Sequence, residues 1–206
     1  ILFDACRADR FLDVIESCET RVSVGSDSFE YVQKTFSTGT LDDTVYVTAN
    51  PHLTEDIFRE CTGRSREDVF AGVDTLMDVD DAHKPEKVTE RAIETVNKTG
   101  KRVIVHYMQP HDPFLEDPDI EYKDAVLGRV SDQEIRDAYD RNLERAWASF
   151  QDLLEHLDGR ILVTADHGEY LGECGLYGHI LHHDTKVARE VPLYRIEKDI
   201  TEGIDI

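Results

Sequence analysis

Four short stretches hold the residues that could do chemistry. In VTADHGEYLGECGLYGH, residues 163–179, an apolar run ends in Asp166-His167-Gly168, and His179 follows thirteen positions after Asp166. Carboxylate oxygen and imidazole nitrogen are donors that suit zinc, manganese or magnesium. Gly168 lets the backbone turn closely there. In ILFD an apolar run again ends in an acid, Asp4. A carboxylate at a buried strand end is costly unless it is paired or bound to a cation. The choice for Asp4 therefore lies between a salt bridge to Arg7 or Arg10 and a metal. HYMQPHDPF, residues 106–114, adds His106, His111 and Asp112 around two prolines. SVGSDSFEY, residues 23–31, puts Ser23, Ser26 and Ser28 just ahead of an expected helix. A hydroxyl there either caps the helix or serves as a nucleophile whose negative charge the helix N-terminus favours. Thr38 and Thr40 in FSTGT compete for that role.

Apolar runs and helical periodicities supply the elements that must position these groups. Strands are expected at residues 1–3, 45–48, 101–108, 160–165 and 191–196. Residues 8–17 suit a short helix, and Phe29, Val32 and Phe36 recur at helical spacing over 28–36. A helix over 85–99 opens on Pro85 and closes at Gly100. A longer one follows Ser131 and Glu134, which form a capping box, with Ile135, Ala138, Leu143, Ala146, Trp147, Phe150 and Leu153 on one stripe. Residues 52–80 suggest short helices and an irregular connection. Strands alternating with helices imply an α/β fold, a three-layer sandwich with a mainly parallel central sheet and helices on both faces. Residues 1–206 are expected to form a single domain. In such sheets ligands sit beyond the carboxyl ends of the strands. Asp4, Asn50, His106 to His111, and Asp166-His167 all fall there.

Composition excludes several classes. The chain carries 44 acidic against 23 basic residues, a formal charge of −21. That surface repels nucleic acid and anionic membranes. The acids are spread along the chain and lysine is scarce, which we read as adaptation to high salt and hence to a high-salt cytoplasm. No apolar run approaches the ~18 residues of a membrane span. None of the four cysteines forms a CxxC pair, so free, buried thiols are expected. No strand is followed by a glycine-rich loop, which argues against a nucleotide or redox cofactor.

Taken together, ILFDACRADR, HYMQPHDPF, VTADHGEYLGECGLYGH and TKVAREVPLYRI resemble the alkaline phosphatase superfamily, in particular its sulfatase-like branch. The resemblance implies an alkaline-phosphatase-like fold and a hydrolase or transferase acting on phosphate or sulfate esters. It implies that Asp4, Asp166 and His167 bind a divalent ion, zinc or manganese. Ser28 takes the place of the metal-bound nucleophile, which is usually threonine in the family. His111 and His179 hold a second ion or the anionic oxygens of the substrate. Glu169 and Glu173 are read as flanking residues, supporting or solvated, and His183 as a reserve for His179. No Cys-x-Pro-x-Arg motif is present, which argues against a formylglycine sulfatase. A mutase of the superfamily would need a large inserted domain, for which there is no room. The expected substrate is a small-molecule, glycan-linked or lipid-linked ester. The alternative is a degenerate member that keeps the fold and acts as a binding or structural protein.

Overall fold

The computed structural model describes residues 1–198. Seven strands form one sheet: β1 (Leu2–Asp4), β2 (Glu19–Val22), β3 (Leu41–Thr48), β4 (Phe70–Asp74), β5 (Arg102–Pro110), β6 (Gly159–Ala165) and, after the hairpin β7 (Tyr170–Leu171) and β8 (Tyr177–Gly178), β9 (Glu190–Lys198). The order across the sheet is β2-β9-β6-β1-β5-β3-β4. The run β6-β1-β5-β3-β4 is parallel throughout. β9 enters antiparallel to β6, and β2 is antiparallel to β9. Three-residue β1 lies at the centre, so the turn after it is surrounded by its neighbours.

Helices cover both faces: α1 (Ala8–Val14), α4 (Pro85–Thr99) and α6 (Asp132–Leu154) on one, α2 (Ser28–Phe36) and α3 (Glu55–Thr62) on the other. Two short helices, α5 (Tyr122–Val126) and α7 (Lys186–Arg189), lie in connections. The two-residue period of the strands divides the core. Phe3, Val47, Val105 and Val163 pack under α6 with Leu143, Ala146 and Phe150, while Leu2, Tyr46 and Ile104 face Val32, Phe36 and Phe58. Trp147 belongs to the first cluster, stacked edge-on against Phe11. The expected capping box forms: Ser131 and Glu134 bond reciprocally at the start of α6. Gly100, at φ +57°, ends α4.

Three features depart from expectation. β2 and β4 were not anticipated; all four residues of β2 are exposed, so it shows no apolar alternation, and Gly72 interrupts β4. The last strand runs antiparallel, a direction that periodicity does not encode. All four cysteines are free, but only Cys6 and Cys61 are buried; Cys174 is exposed and Cys18 half-buried.

Candidate active site

Four chain segments converge at the carboxyl end of the parallel strands. Asp4 ends β1, Asp166 and His167 follow β6, Asn50 follows β3, and Ser28 opens α2. Asp27 is the true cap of α2: its carboxylate accepts the Glu30 N–H at 2.9 Å. Ser28 is thereby released from capping. Its Oγ donates to Asp166 Oδ2 at 2.7 Å and lies 3.4 Å from both Asp4 Oδ2 and His167 Nε2. His167 Nε2 is 3.5 Å from Asp4 Oδ1 and 3.5 Å from Asp166 Oδ2. Ligands of a tetrahedral zinc ion with bonds of about 2.0–2.1 Å stand roughly 3.4 Å apart; four of these five separations match that spacing, and the fifth, Ser28 to Asp166, is a hydrogen bond at 2.7 Å.

The donor chemistry fits as well. His167 Nδ1 lies 2.9 Å from the Gly168 carbonyl and donates to it, which turns the Nε2 lone pair toward the two acids. Asp166 Oδ1 accepts the N–H groups of Ala5 and His167, leaving Oδ2 for the site. Burial first, and the neighbouring Asp166 charge second, push the Asp4 carboxyl well above the usual range. Burial works the same way on Asp166, but His167, His106 and the Ser28 hydroxyl outweigh it and hold that carboxyl low. Two buried acids in such proximity lose their repulsion when a divalent ion lies between them.

A second cluster adjoins the first. Glu169 is fully buried; its Oε1 accepts the Tyr122 hydroxyl at 2.6 Å, and its Oε2 has no hydrogen-bond partner among the described residues. His111 Nε2 and His179 Nδ1 each lie 3.9 Å from that oxygen. The rings of His111 and His179 are 5.0 Å apart, and His179 is 4.8 Å from the ring of His167. Burial lowers the pKa of both His111 and His179, but the Glu169 charge prevails and leaves them above the ordinary imidazole value. Glu169, His111 and His179 together offer ligand atoms close enough for one cation.

A buried, metal-compatible quartet with a hydroxyl at a helix N-terminus agrees with what family comparison finds: residues 26–193 match the sulfatase family. The chain belongs to the sulfatase family. Among solved structures, the C-terminal periplasmic domain of phosphoethanolamine transferase EptC from Campylobacter jejuni aligns with a TM-score of 0.63 at 13% identity, over 95% of this chain and 76% of that one. The soluble domain of lipooligosaccharide phosphoethanolamine transferase A from Neisseria meningitidis gives 0.67 at 12% identity, over 94% and 74%. The periplasmic domain of Escherichia coli EptC, in complex with zinc, gives 0.60 at 11% identity, over 96% and 71%. No curated protein gives a match. These likenesses share the fold. They also overturn the placement in a high-salt cytoplasm, since the similar chains are periplasmic domains, and a Neisseria chain of which this one covers 46% is an integral membrane protein. Among the described residues no helix is long and apolar enough to cross a membrane.

In this sulfatase-family chain, Asp4, Ser28, Asp166, His167, His111 and His179 all meet at one sheet edge. The salt-bridge reading of Asp4 does not hold. Arg7 binds Asp9 and Glu173, Arg10 binds Asp13 and Asp140, and Asp4 receives the Asn50 side-chain amide at 2.8 Å instead. Glu169 is a member of the second cluster and not a solvated flank, whereas Glu173 is a structural partner of Arg7. Thr38 and Thr40 follow the far end of α2, about 13 Å along its axis from Ser28. His183 is tied to Tyr170 and His182 to Glu30, away from the quartet. Asn50 was visible only as a strand-end residue. Its amide donates to Asp4 and Ser28 while its oxygen accepts from His52, which fixes its orientation.

Proposed function

We propose that the chain is a metal-dependent enzyme acting on phosphate or sulfate esters, with Ser28 as nucleophile. The observation that carries this reading is the Ser28 hydroxyl, freed from capping by Asp27 and directed at Asp166 within a quartet of ion-compatible spacing. Asp4, Asp166, His167 and Ser28 would hold one divalent ion, zinc or manganese, which would lower the hydroxyl pKa and polarise the ester oxygen. His111, Glu169 and His179 fit a second ion.

Each residue then has a defined task. In the structure the Ser28 hydroxyl rests on Asp166 Oδ2; with the ion held, its proton would pass to water. The Asn50 amide holds Oγ in place from the other side. Oγ attacks phosphorus and its new bond forms as the ester P–O bond breaks; the bonding pair leaves on the ester oxygen, which departs as the alcohol after taking a proton from water, and the phosphoryl group stays attached to Ser28. The positive end of α2 and the imidazoles of His111 and His179 steady the negative charge that develops. Attack by water or by an acceptor alcohol then frees Ser28, giving hydrolysis or transfer. The similar solved structures are of phosphoethanolamine transferases, which makes a phosphoethanolamine group on a lipid or glycan one candidate cargo.

The test compares wild type, Ser28→Ala and Asp166→Ala, each supplied with zinc or manganese, on p-nitrophenyl phosphate and p-nitrophenyl sulfate. Wild type is expected to bind one or two equivalents of metal, turn over one ester, and yield a phosphate adduct on the peptide containing Ser28. Ser28→Ala should lose turnover and adduct, and Asp166→Ala should lose metal. Turnover by Ser28→Ala at the wild-type rate would refute the assignment. We also propose that residues 1–206 form a single domain and that the acidic surface, 44 acids against 23 bases, suits high salt.

A further inference from the structure

Behind the carboxylate pair lie two polar side chains to which the proposed mechanism gives no task. Tyr46 projects from β3 and His106 from neighbouring β5, and both are 0% exposed. The Tyr46 hydroxyl stands 3.0 Å from His106 Nδ1. His106 Nε2 has no hydrogen-bond partner among the described residues; it lies 3.6 Å from Asp166 Oδ2 and 4.0 Å from Asp4 Oδ2. A fully buried nitrogen aimed between two acids allows two readings. Its lone pair is a further ligand for the ion, since Asp4, His106 and Asp166 offer atoms close enough for one cation, or it carries a proton and is a donor.

Tyr46 decides between them. Its hydroxyl has no acceptor other than Nδ1 among the described hydrogen bonds. Burial raises its pKa well above the ordinary phenol value, so the proton stays on oxygen. A buried donor without an acceptor costs about 1–3 kcal/mol. The opposite tautomer would leave the Tyr46 proton with none and turn the Nε2 lone pair toward two carboxylates, whereas a proton on Nε2 faces both acids, at 3.6 Å and 4.0 Å. The ring cannot swing to another partner, because it packs edge-on against Phe36 and Phe70, with centroids 6.0 Å and 5.4 Å away. Tyr46 therefore donates to Nδ1. In a neutral imidazole one nitrogen accepts and the other carries the proton, so the His106 proton is on Nε2. His167 is the opposite case: its Nδ1 proton goes to the Gly168 carbonyl and its Nε2 is free to ligate. Two histidines face the same acids with opposite tautomers, each set by its far-side partner.

We propose that Tyr46 and His106 form a positioning strut for the metal centre: His106 ligates no ion, and its Nε2–H dipole steadies Asp166 and Asp4 from behind while Ser28 and His167 face the ion. This rests on the assignment of that centre to Asp4, Asp166 and His167. At 3.6 Å the donor is beyond a full hydrogen bond. It acts as an oriented dipole in a low-dielectric pocket, where such dipoles count for more than in water. Outer partners of this kind typically affect metal affinity about 10–100-fold.

The experiment uses protein labelled with nitrogen-15 in histidine, first metal-free and then titrated with zinc, read by NMR. In the metal-free protein His106 should show its proton on Nε2 and His167 its proton on Nδ1. Zinc should shift His167 Nε2 and leave the His106 Nε2 proton in place. A His106 Nε2 that lacks a proton, or loses it on zinc addition, overturns the strut and makes His106 a ligand. Zinc that shifts neither ring overturns the metal centre itself, a separate outcome. Zinc affinity gives the second readout. His106→Gln keeps a donor and should bind within a few-fold of wild type, whereas His106→Leu and Tyr46→Phe should bind about 10–100-fold more weakly. Equal loss in His106→Gln and His106→Leu would mark a ligand, and no loss in any of the three would remove the strut. Should a variant fail to fold, the tautomers in the wild-type protein still decide.

Discussion

Replacing Gly168 with alanine should damage the site without altering any ligand. Gly168 runs against the backbone of the segment leading into β9, and its N–H donates to the Ala188 carbonyl at 2.8 Å. A Cβ built on Gly168 would stand 2.3 Å from the Val187 carbonyl oxygen and 3.3 Å from Arg7 Cγ. An ordinary contact needs roughly 3.4 Å, so one backbone must retreat by about 1 Å. Neither can do so cheaply: one carries His167, and the other is held by Ser23, which bonds the Arg189 carbonyl at 2.7 Å. Overpacking of this kind costs about 1–3 kcal/mol, which for a chain of this length corresponds to a fall of roughly 2–12 °C in melting temperature. Because His167 is the adjacent residue, part of the retreat moves a proposed ligand, and a misplacement of about 1 Å costs on the order of 100-fold in rate. The assays are a thermal melt of the metal-free protein, zinc affinity, and kcat/KM on the best ester. A Gly168→Ala protein that melts within about 1 °C of wild type and binds zinc equally well would refute this account of the glycine.

Three other perturbations test separate parts of the structure. Glu169→Gln should bring the titrations of His111 and His179 down toward the ordinary imidazole value in metal-free protein, since the Glu169 charge is what holds them up; unchanged titrations by NMR would contradict the contact. The same variant should lose the more weakly held metal equivalent and keep the first. Tyr139→Phe should cost about 1–3 kcal/mol in urea unfolding, because the Tyr139 hydroxyl donates to the Ala5 carbonyl at 2.8 Å and accepts the Arg7 N–H at 3.0 Å; an unchanged midpoint would show that the turn after β1 does not depend on it. Thermal melts in rising potassium chloride should move upward as the net charge of −21 is screened, and a melt insensitive to salt would remove the high-salt proposal.

Much of the site was legible because its residues sit where apolar runs stop. Asp4, Asp166 and His167 each follow a strand that reads clearly from its side chains, and the parallel-sheet rule sends strand ends to one edge. Ser28 stands out as a candidate nucleophile only through the family resemblance; on its own it reads equally as a cap. In the structure Asp27 takes the cap. Of the two readings of Glu169, supporting or solvated, the solvated one fails although an acid beside a glycine in a loop normally faces water. Its burial depends on Tyr122 and on Arg7, which holds its carbonyl at 3.3 Å, and both are distant in sequence. β2 and β4 escaped notice for the related reason that edge strands need not alternate. In each case what was hidden is a partner chosen across the fold, whereas what was visible is local periodicity.

The placement of arginine argues for metal independently of the ligand spacing. Asp4, Asp166 and Glu169 are 3%, 0% and 0% exposed, and among the described residues no lysine or arginine pairs with any of them. The two arginines nearest in sequence to Asp4 are fully engaged elsewhere, Arg7 with Asp9 and Glu173 and Arg10 with Asp13 and Asp140. Three buried acids are thus compensated only by imidazoles, each of which is cationic over part of the pH range. Buried charge without a fixed counter-charge is strongly destabilising, so a divalent ion should stabilise the folded chain well beyond its effect on activity. At a free zinc concentration about 100 times the dissociation constant the gain is about 2.7 kcal/mol, or roughly 5–11 °C in melting temperature for a chain of this size. Melting with and without chelator measures it directly. The stabilisation should vanish in Asp166→Ala, where the acid and one ligand are lost together, and survive in Ser28→Ala, where the charge remains. A melting temperature indifferent to zinc in wild type would mean that the imidazoles alone balance the buried acids, and the metal-dependent reading would fall with it.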